Sequence, residues 1–292
     1  MTSLYSGLID GVLTGGVYAL MAAGLTLIFG VMDIINIAQG VMVVLAAYLS
    51  YVLAAHFGLD LFVGILVTVP ALFLLGIAVD WAFIRRLPSR DRTTMSILVT
   101  YAVAIIIEGV LTLVFGVNYV QLHAWYVTRS LHLLGFYLPY IYLFGFGLAV
   151  VLMAAIYLML YRTRFGRSVR ASLQNRSAAR LIGINVDRVA TLSFGIGVAV
   201  TGAGGMVFGA TTAFNPNSGY DLISRLLSIV ILGGLGSMAG AVTAAVSMLV
   251  VEDVVASVWS PLWSEVVFFG ALVLVLALRP TGLFGRSLSR SQ

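Results

Sequence analysis

The fold class this sequence predicts is a polytopic, all-α bundle of membrane helices, and three observations predict it. Of the 292 residues, 61% are apolar and 9% are charged, whereas a soluble chain carries about a quarter of its residues as charged types. The apolar residues fall in long runs, such as 141–160 and the stretch around 266–278, and a bilayer is crossed by about 20 of them in helical form. The runs also lack the in/out alternation of a membrane barrel, which leaves helices as the structure that satisfies backbone groups in lipid.

The elements follow from where the charges stand. All basic residues are arginines and lysine is absent. Most fall in three clusters: Arg85, Arg86, Arg90 and Arg92; then Arg162, Arg164, Arg167, Arg170, Arg176, Arg180 and Arg188; then Arg279, Arg286 and Arg290. Cytoplasmic loops accumulate arginine, so these clusters are expected inside, together with the C-terminus. Only Arg129 and Arg225 are left to stand elsewhere. The same rule accounts for the net charge of +5 without a nucleic-acid partner. Between the anchors, helices are predicted at 7–30, 36–56, 61–84, 94–115, 138–160, 189–212, 222–237, 239–258 and 263–279.

The first of these begins almost at once, because residues 1–15 carry Asp10 and no basic leader. Nine crossings would place the N-terminus outside. The range is about eight to ten, because the polar break 30–40 makes the first two segments candidates for re-entry, and 222–237 is short and ends in glycines. The loop 117–138, with Trp125, Tyr126 and Tyr137, falls outside and reads as an interfacial aromatic belt. Small residues at helix contacts are expected at Gly7/Gly11/Gly15, Gly205/Gly209, the Gly233-Gly234-Leu235-Gly236 stretch and Gly240. No internal repeat is established from the sequence.

The composition also excludes chemistry. A Walker A loop needs a lysine to reach the terminal phosphates, so the chain is expected to have no ATPase site of its own. The stretch 233–240, GGLGSMAG, reads as close packing or a helix break rather than a nucleotide loop. His56, His123 and His132 are scattered in or near outer loops, and neither G-x-S-x-G nor H-E-x-x-H occurs. No catalysis, no cofactor and no metal are expected within the chain; the absence of cysteine removes thiolate sites as well.

Two stretches ask for more than a membrane anchor. The first, 161–188, YRTRFGRSVRASLQNRSAARLIGINVDR, is longer than a connection between neighbouring helices needs. Its Val169, Leu173, Leu181, Ile182 and Ile184 give short helical faces, apolar on one side and cationic on the other, suited to docking in a partner's groove or on a membrane surface. The second is 33–40, DIINIAQG. If helical, Asp33, Asn36 and Gln39 share one face toward a bundle interior or solute path; otherwise the stretch is a cytoplasmic turn. Glu108, deep in TYAVAIIIEGVLTLVFG, is either paired or protonated for packing, or lines a solute path.

In this order the residues resemble the permease family of branched-chain amino-acid ABC transporters, over nearly the whole chain. The resemblance is carried by Gly15-Gly16-Val17-Tyr18-Ala19-Leu20, the stretch Gly24 to Met32, and Ile35-Asn36-Ile37-Ala38-Gln39-Gly40. It continues through Gly166-Arg167, Arg170-Ala171, Leu181-Ile182-Gly183-Ile184-Asn185, Gly233-Gly234-Leu235-Gly236-Ser237 and the closing Arg279-Pro280-Thr281-Gly282-Leu283-Phe284-Gly285. Where the family commonly reads asparagine, aromatic, alanine, histidine, glycine, this chain has Ile37 and Gln39. That exchange keeps hydrogen-bonding capacity and removes a titratable group.

The resemblance implies a single permease domain over 1–292 in a bacterial inner membrane. It also implies a second homologous permease, two cytoplasmic P-loop ATPase subunits that hold ATP and Mg, a periplasmic solute-binding protein, and surrounding lipid. The expected solute is a branched-chain amino acid; urea, short amides or small carboxylates are the alternative within the family. Gly166, Arg167, Arg170, Leu181, Gly183, Ile184 and Asn185 become the expected ATPase-coupling element. Asp33, Asn36, Gln39 and Glu108 become candidates for the solute path. An ion-coupled carrier and a structural membrane subunit are the competing classes; for a carrier, Glu108 and Asp33 were the carboxylates at depth.

Overall fold

The computed structural model describes residues 2–87, 92–133 and 136–284. Arg90, Gly285, Arg286 and Arg290, named above, lie outside the described residues. The chain is helical nearly throughout: α1 (Thr2–Met32), α2 (Gln39–Phe57), α3 (Leu61–Ala82), α4 (Arg92–Phe115), a single turn α5 (Trp125–Thr128), α6 (Tyr140–Arg162), α7 (Arg164–Gln174), α8 (Arg176–Leu181), α9 (Val186–Thr211), α10 (Gly219–Gly233), α11 (Met238–Val258) and α12 (Pro261–Leu278). Eight of them are long and apolar enough to cross a membrane. The ninth expected segment is α10, whose 15 residues give about 22 Å of helix, short of the roughly 30 Å hydrocarbon core.

Local chemistry sets the boundaries. Asp60, Thr163, Asn175, Asn185, Ser237 and Ser260 each accept a backbone N–H at the start of α3, α7, α8, α9, α11 and α12, satisfying donors that a helix start leaves open. Expected to run on to residue 237, α10 instead stops at Gly233. Gly234 and Gly236 there take φ values of +98° and +81°, a conformation only glycine adopts cheaply, and they turn the chain straight into α11.

At the centre, α1 and α9 cross antiparallel. Over 80% of α9's apolar window is buried (83%), against 11% for α12, so α9 is core and α12 is periphery. The crossing is close because Gly24 and Gly197 meet backbone to backbone. Along α9 lies α3, through Leu72 on Gly202 and Gly76 on Gly195; along α1 lies α11, through Gly7, Gly11 and Gly15 on Val254, Val250 and Val246. Both pairs are antiparallel.

This exchange of roles exposes an internal repeat that the sequence reading did not establish. From the last turn of α1 the chain reads Phe29-Gly30, then Asn36, then Gln39-Gly40 into α2; from the last turn of α9 it reads Phe208-Gly209, then Asn215, then Ser218-Gly219 into α10, at identical spacing. Since α1 and α9 run in opposite directions, the repeat is inverted, an arrangement that recurs in transport proteins.

One end of the bundle gathers the arginines: the end of α3, the start of α4, the end of α6, all of α7 and α8, the start of α9 and the end of α12. At the other end, β1 (Ser130–Leu133) and β2 (Phe136–Pro139) form a small antiparallel hairpin with Ser130 opposite Pro139. Part of the expected aromatic belt is knit into the protein there. Tyr126 donates to Asp60 Oδ2 at 2.9 Å and lies among Phe62, Trp125 and Phe144. Burial, then the hydrogen bond and charge of Asp60, push the Tyr126 phenol above its ordinary range.

Candidate functional site

Among the described residues, polar chemistry gathers at the two helix breaks, in a charged cluster around Arg225 and at the arginine-rich end.

The first break starts at Asp33, which caps α1 in the left-handed region with φ +55° and is exposed. The chain then re-enters the bundle in irregular form. Its backbone finds partners on α4: Ile35 N–H donates to Ser96 Oγ (3.3 Å), Ile37 N–H to Thr100 Oγ1 (3.1 Å), and Thr93 Oγ1 donates to the Asp33 carbonyl (2.8 Å). Away from water, irregular backbone persists only with such partners.

At depth, Asn36 Nδ2 donates to Gln39 Oε1 at 2.7 Å. Gln39 Nε2 donates to the Gly197 carbonyl at 3.1 Å and to Thr201 Oγ1. Asn36 and Gln39 are fully buried. The shared helical face considered for Asp33, Asn36 and Gln39 does not form, because 33–36 is irregular, 37–38 is a turn and only Gln39 is helical. Asp33 forms the turn at the arginine-rich end, while Asn36 and Gln39 sit in the interior, so each reading of this stretch describes part of it.

The second break repeats this design with shorter side chains. Ser218 Oγ donates to Asn215 Oδ1 at 3.2 Å and accepts from the Asn215 N–H at 3.1 Å. The helices that follow the two breaks start against one another: a methyl on Gly40 would run into the Gly219 carbonyl, and one on Gly219 would meet Val41. Because Gln39, next to Gly40, reaches Gly197 near the midpoint of α9, α10 begins in the middle of the bundle.

The charged cluster was missed by sequence reasoning. Arg225 on α10 places Nη1 2.6 and 2.8 Å from the two carboxylate oxygens of Glu252 on α11, and Nη2 3.0 Å from Glu265 on α12. Next to it, Thr14 donates to Asp253 at 2.9 Å. A cavity of about 160 Å³ is lined by Thr14, Tyr18, Tyr142, Arg225, Glu252 and Asp253, among others. Buried Asp80 on α3 accepts from Thr191 on α9 at 2.5 Å. Carboxylates at depth are therefore more numerous than Glu108 and Asp33. The signal that pointed here was Arg225 itself, which no loop cluster absorbed. The Glu108 carboxylate lies near the Tyr220 phenol of α10.

At the arginine-rich end, α7 is pinned to α6. Gly166 sits against the Leu160 carbonyl, Arg170 donates to that same oxygen, and its guanidinium lies 5.0 Å from the Tyr161 ring centroid. Val169 is buried under α7 while Arg167 is exposed. Leu181 and Ile182 are 88% and 74% exposed, followed by Gly183 at φ +84°. Ile184 N–H returns to the Ala179 carbonyl at 3.0 Å, and Asn185 starts α9 by accepting from the Arg188 N–H at 2.9 Å. Burial, then the neighbouring Arg92 and Arg180, push the Arg176 guanidinium below its ordinary value.

The glycines expected at helix contacts divide. Gly205 faces the Val43 carbonyl, Gly209 faces Ala47 and Phe214, and Gly233 and Gly240 face each other. Gly234 and Gly236 belong to the turn described above.

Two broken helices meeting inside an inverted-repeat membrane bundle, with an amphipathic helical pair held at its arginine-rich end, make the architecture of a transport permease. Residues 7–276 match the family model described as branched-chain amino acid transport system / permease component, and the chain belongs to that family. It is 29% identical to the high-affinity branched-chain amino acid transport system permease protein BraD of Pseudomonas aeruginosa, over 96% of this chain and 95% of that protein. It is 28% identical to the corresponding permease protein LivH of Escherichia coli K12, over 95% and 94%. A partial likeness, 29% over 45% of this chain and 40% of the relative, links it to the autoinducer 2 import system permease protein LsrC of Yersinia enterocolitica. No solved structure matches.

Proposed function

We propose that the chain is one translocating subunit of an ATP-driven importer that takes branched-chain amino acids from a solute-binding protein. In this reading 1–292 is one permease domain in a bacterial inner membrane, with the N-terminus outside and the arginine-rich end, including the C-terminus, in the cytoplasm. A second homologous permease completes the membrane part. Two P-loop ATPase subunits bind ATP and Mg; this chain binds no cofactor.

The observation that carries the reading is the surface of α7–α8. Leucine and isoleucine at 88% and 74% exposure sit among arginines, on helices fixed to α6 and joined directly to the central α9. Such an apolar point on a cationic helical pair fits a partner's groove, and a push on it is passed to the core helix. Gly166 and Arg170 hold the pair in place; Arg167, Leu181, Gly183, Ile184 and Asn185 form or shape its free face.

Exchanging Leu181 for glutamate tests this. The complex is expected to assemble in membranes with solute-stimulated ATP hydrolysis lost; coupling at the parent level would refute the assignment. The broader reading is tested by purification from the native membrane, in which a P-loop ATPase and a second permease are expected in the eluate.

A second solute reading is favoured by one residue. Gln39 stands where the family commonly has histidine, and its amide is bound to Gly197 and Thr201 inside the chain. A different small polar solute, such as urea, a short amide or a small carboxylate, is tested by competition against leucine uptake.

A further inference from the structure

Around most of its circumference the bundle is apolar at membrane depth: Leu66 of α3, Val151 of α6 and Leu274 of α12 are 76%, 64% and 60% exposed, as a lipid-facing surface requires. The strip along α10 differs. Asp221 and Ser224 are exposed. Beside them Tyr220 lies near Glu108 of α4. On the other flank, Arg225 reaches Glu265 of α12, whose side chain is 69% exposed.

Glu265, the fifth residue of α12, stands toward the outer end, whereas the groups of α10 and α4 do not stand at an aqueous end. Gly219, two residues before Asp221, packs on Gly40 in the middle of the bundle, and Glu108 lies within the span of α4. A carboxylate turned to lipid at that depth is costly. Asp221 and Glu108 side by side at that depth are incompatible with a lipid-facing surface, so something polar covers the strip. The strip is acidic as well: Glu108, Asp221 and Glu265 stand against a single guanidinium, already shared with Glu252.

We propose that this face of α10, flanked by Glu108 and Glu265, lines a water-filled solute path where the chain meets the second permease, and that its surplus carboxylates receive the ammonium group of an amino-acid solute. The proposal rests on the importer reading above. It moves the path away from Asn36 and Gln39, whose polar atoms are turned into the subunit, and gives Glu108 a role beside Tyr220 and Asp221.

The chain has no cysteine, so single cysteines report directly. Ser224→Cys, Leu66→Cys, Val151→Cys and the loop control Asn118→Cys are each placed in the assembled complex in sealed vesicles, and ATP-driven leucine uptake is measured first. Uptake absent from the cysteine-free parent would overturn the importer reading and this proposal with it.

With uptake intact, the ratio of rates with a water-soluble cationic and an anionic methanethiosulfonate is expected to be about tenfold higher at Ser224→Cys than at the loop control Asn118→Cys, as an acidic cleft focuses cations. Leucine-loaded binding protein is expected to slow the reaction, Asp221→Asn to collapse the ratio, and the Leu66 and Val151 positions to stay unlabelled. No reaction at Ser224→Cys while Asn118→Cys reacts would show the strip to be packed dry against its neighbour and overturn the path. A ratio no higher than that at Asn118→Cys would overturn the recognition of an ammonium.

Discussion

Arg225 on α10 holds Glu252 on α11 with one guanidinium nitrogen against both carboxylate oxygens, at 2.6 and 2.8 Å, and the two side chains are only 18% and 9% exposed. The bond ties the outer half of α11 to the short helix that starts at mid-depth. Both side chains are largely buried, so removing Glu252 strips Arg225 of its closest counter-charge and leaves it only the exposed Glu265. Glu252→Gln is expected to destabilise the purified protein by roughly 3–5 kcal/mol, the range for breaking a buried pair. The double exchange Arg225→Met with Glu252→Met is expected to recover part of that loss. Thermal unfolding in detergent checks both; a double variant no more stable than the single one would mean that the pair is not coupled.

The contact of Gly40 with Gly219 makes a second prediction. Each glycine admits the backbone of the opposite broken helix, so a methyl on either must push α2 and α10 apart. Gly40→Ala and Gly219→Ala are each expected to cost about 1–3 kcal/mol, the range for overpacking. Because both methyls act on the same gap, the double variant is expected to cost less than the sum of the two. Unfolding midpoints of the three proteins decide it.

The inverted repeat behind this contact was present in the sequence, in Phe29-Gly30…Asn36…Gln39-Gly40 and its echo Phe208-Gly209…Asn215…Ser218-Gly219. It was hidden because matching residues perform the same task with different atoms: Gln39 reaches Gly197, whereas Ser218 closes locally on Asn215. The spans themselves were legible, since apolar runs and arginine clusters report the membrane directly. The start of α10 at Gly219 was less so, because a helix that begins at mid-depth has no charged flank to mark it. The Arg225 cluster was beyond a single sequence altogether: its carboxylates sit on two other helices, and no spacing rule links residue 225 to 252 and 265.

Inside the first break, Gln39 holds together what the chain interrupts. Its amide nitrogen serves Gly197 and Thr201 of α9 while its oxygen receives Asn36. Gln39→Leu is expected to lose these bonds and leave the buried Asn36 amide without its acceptor, at about 1–3 kcal/mol for an unsatisfied buried group. Gln39→His, the residue common in the family, offers one donor and one acceptor and is expected to cost less. A thermal shift for histidine equal to or larger than that for leucine would contradict the hydrogen-bond account.

At the opposite end of the fold, the bond from Tyr126 to Asp60 fastens the outer loop to the start of α3. Asp60 has two tasks there, since its other oxygen accepts the Phe62 N–H at 2.9 Å. Tyr126→Phe removes only the tether and keeps the aromatic packing against Phe62 and Phe144; a bond to a charged acceptor sets its cost at about 1.5–3 kcal/mol. Asp60→Ala removes the helix cap as well, worth about a further 1 kcal/mol. Amide exchange separates the two. Phenylalanine is expected to speed exchange in residues 122–128 alone, whereas alanine speeds it there and in the first turn of α3. If the tyrosine variant also loosened α3, the cap and the tether would be one unit, and the loop would report directly on the helix that packs along α9.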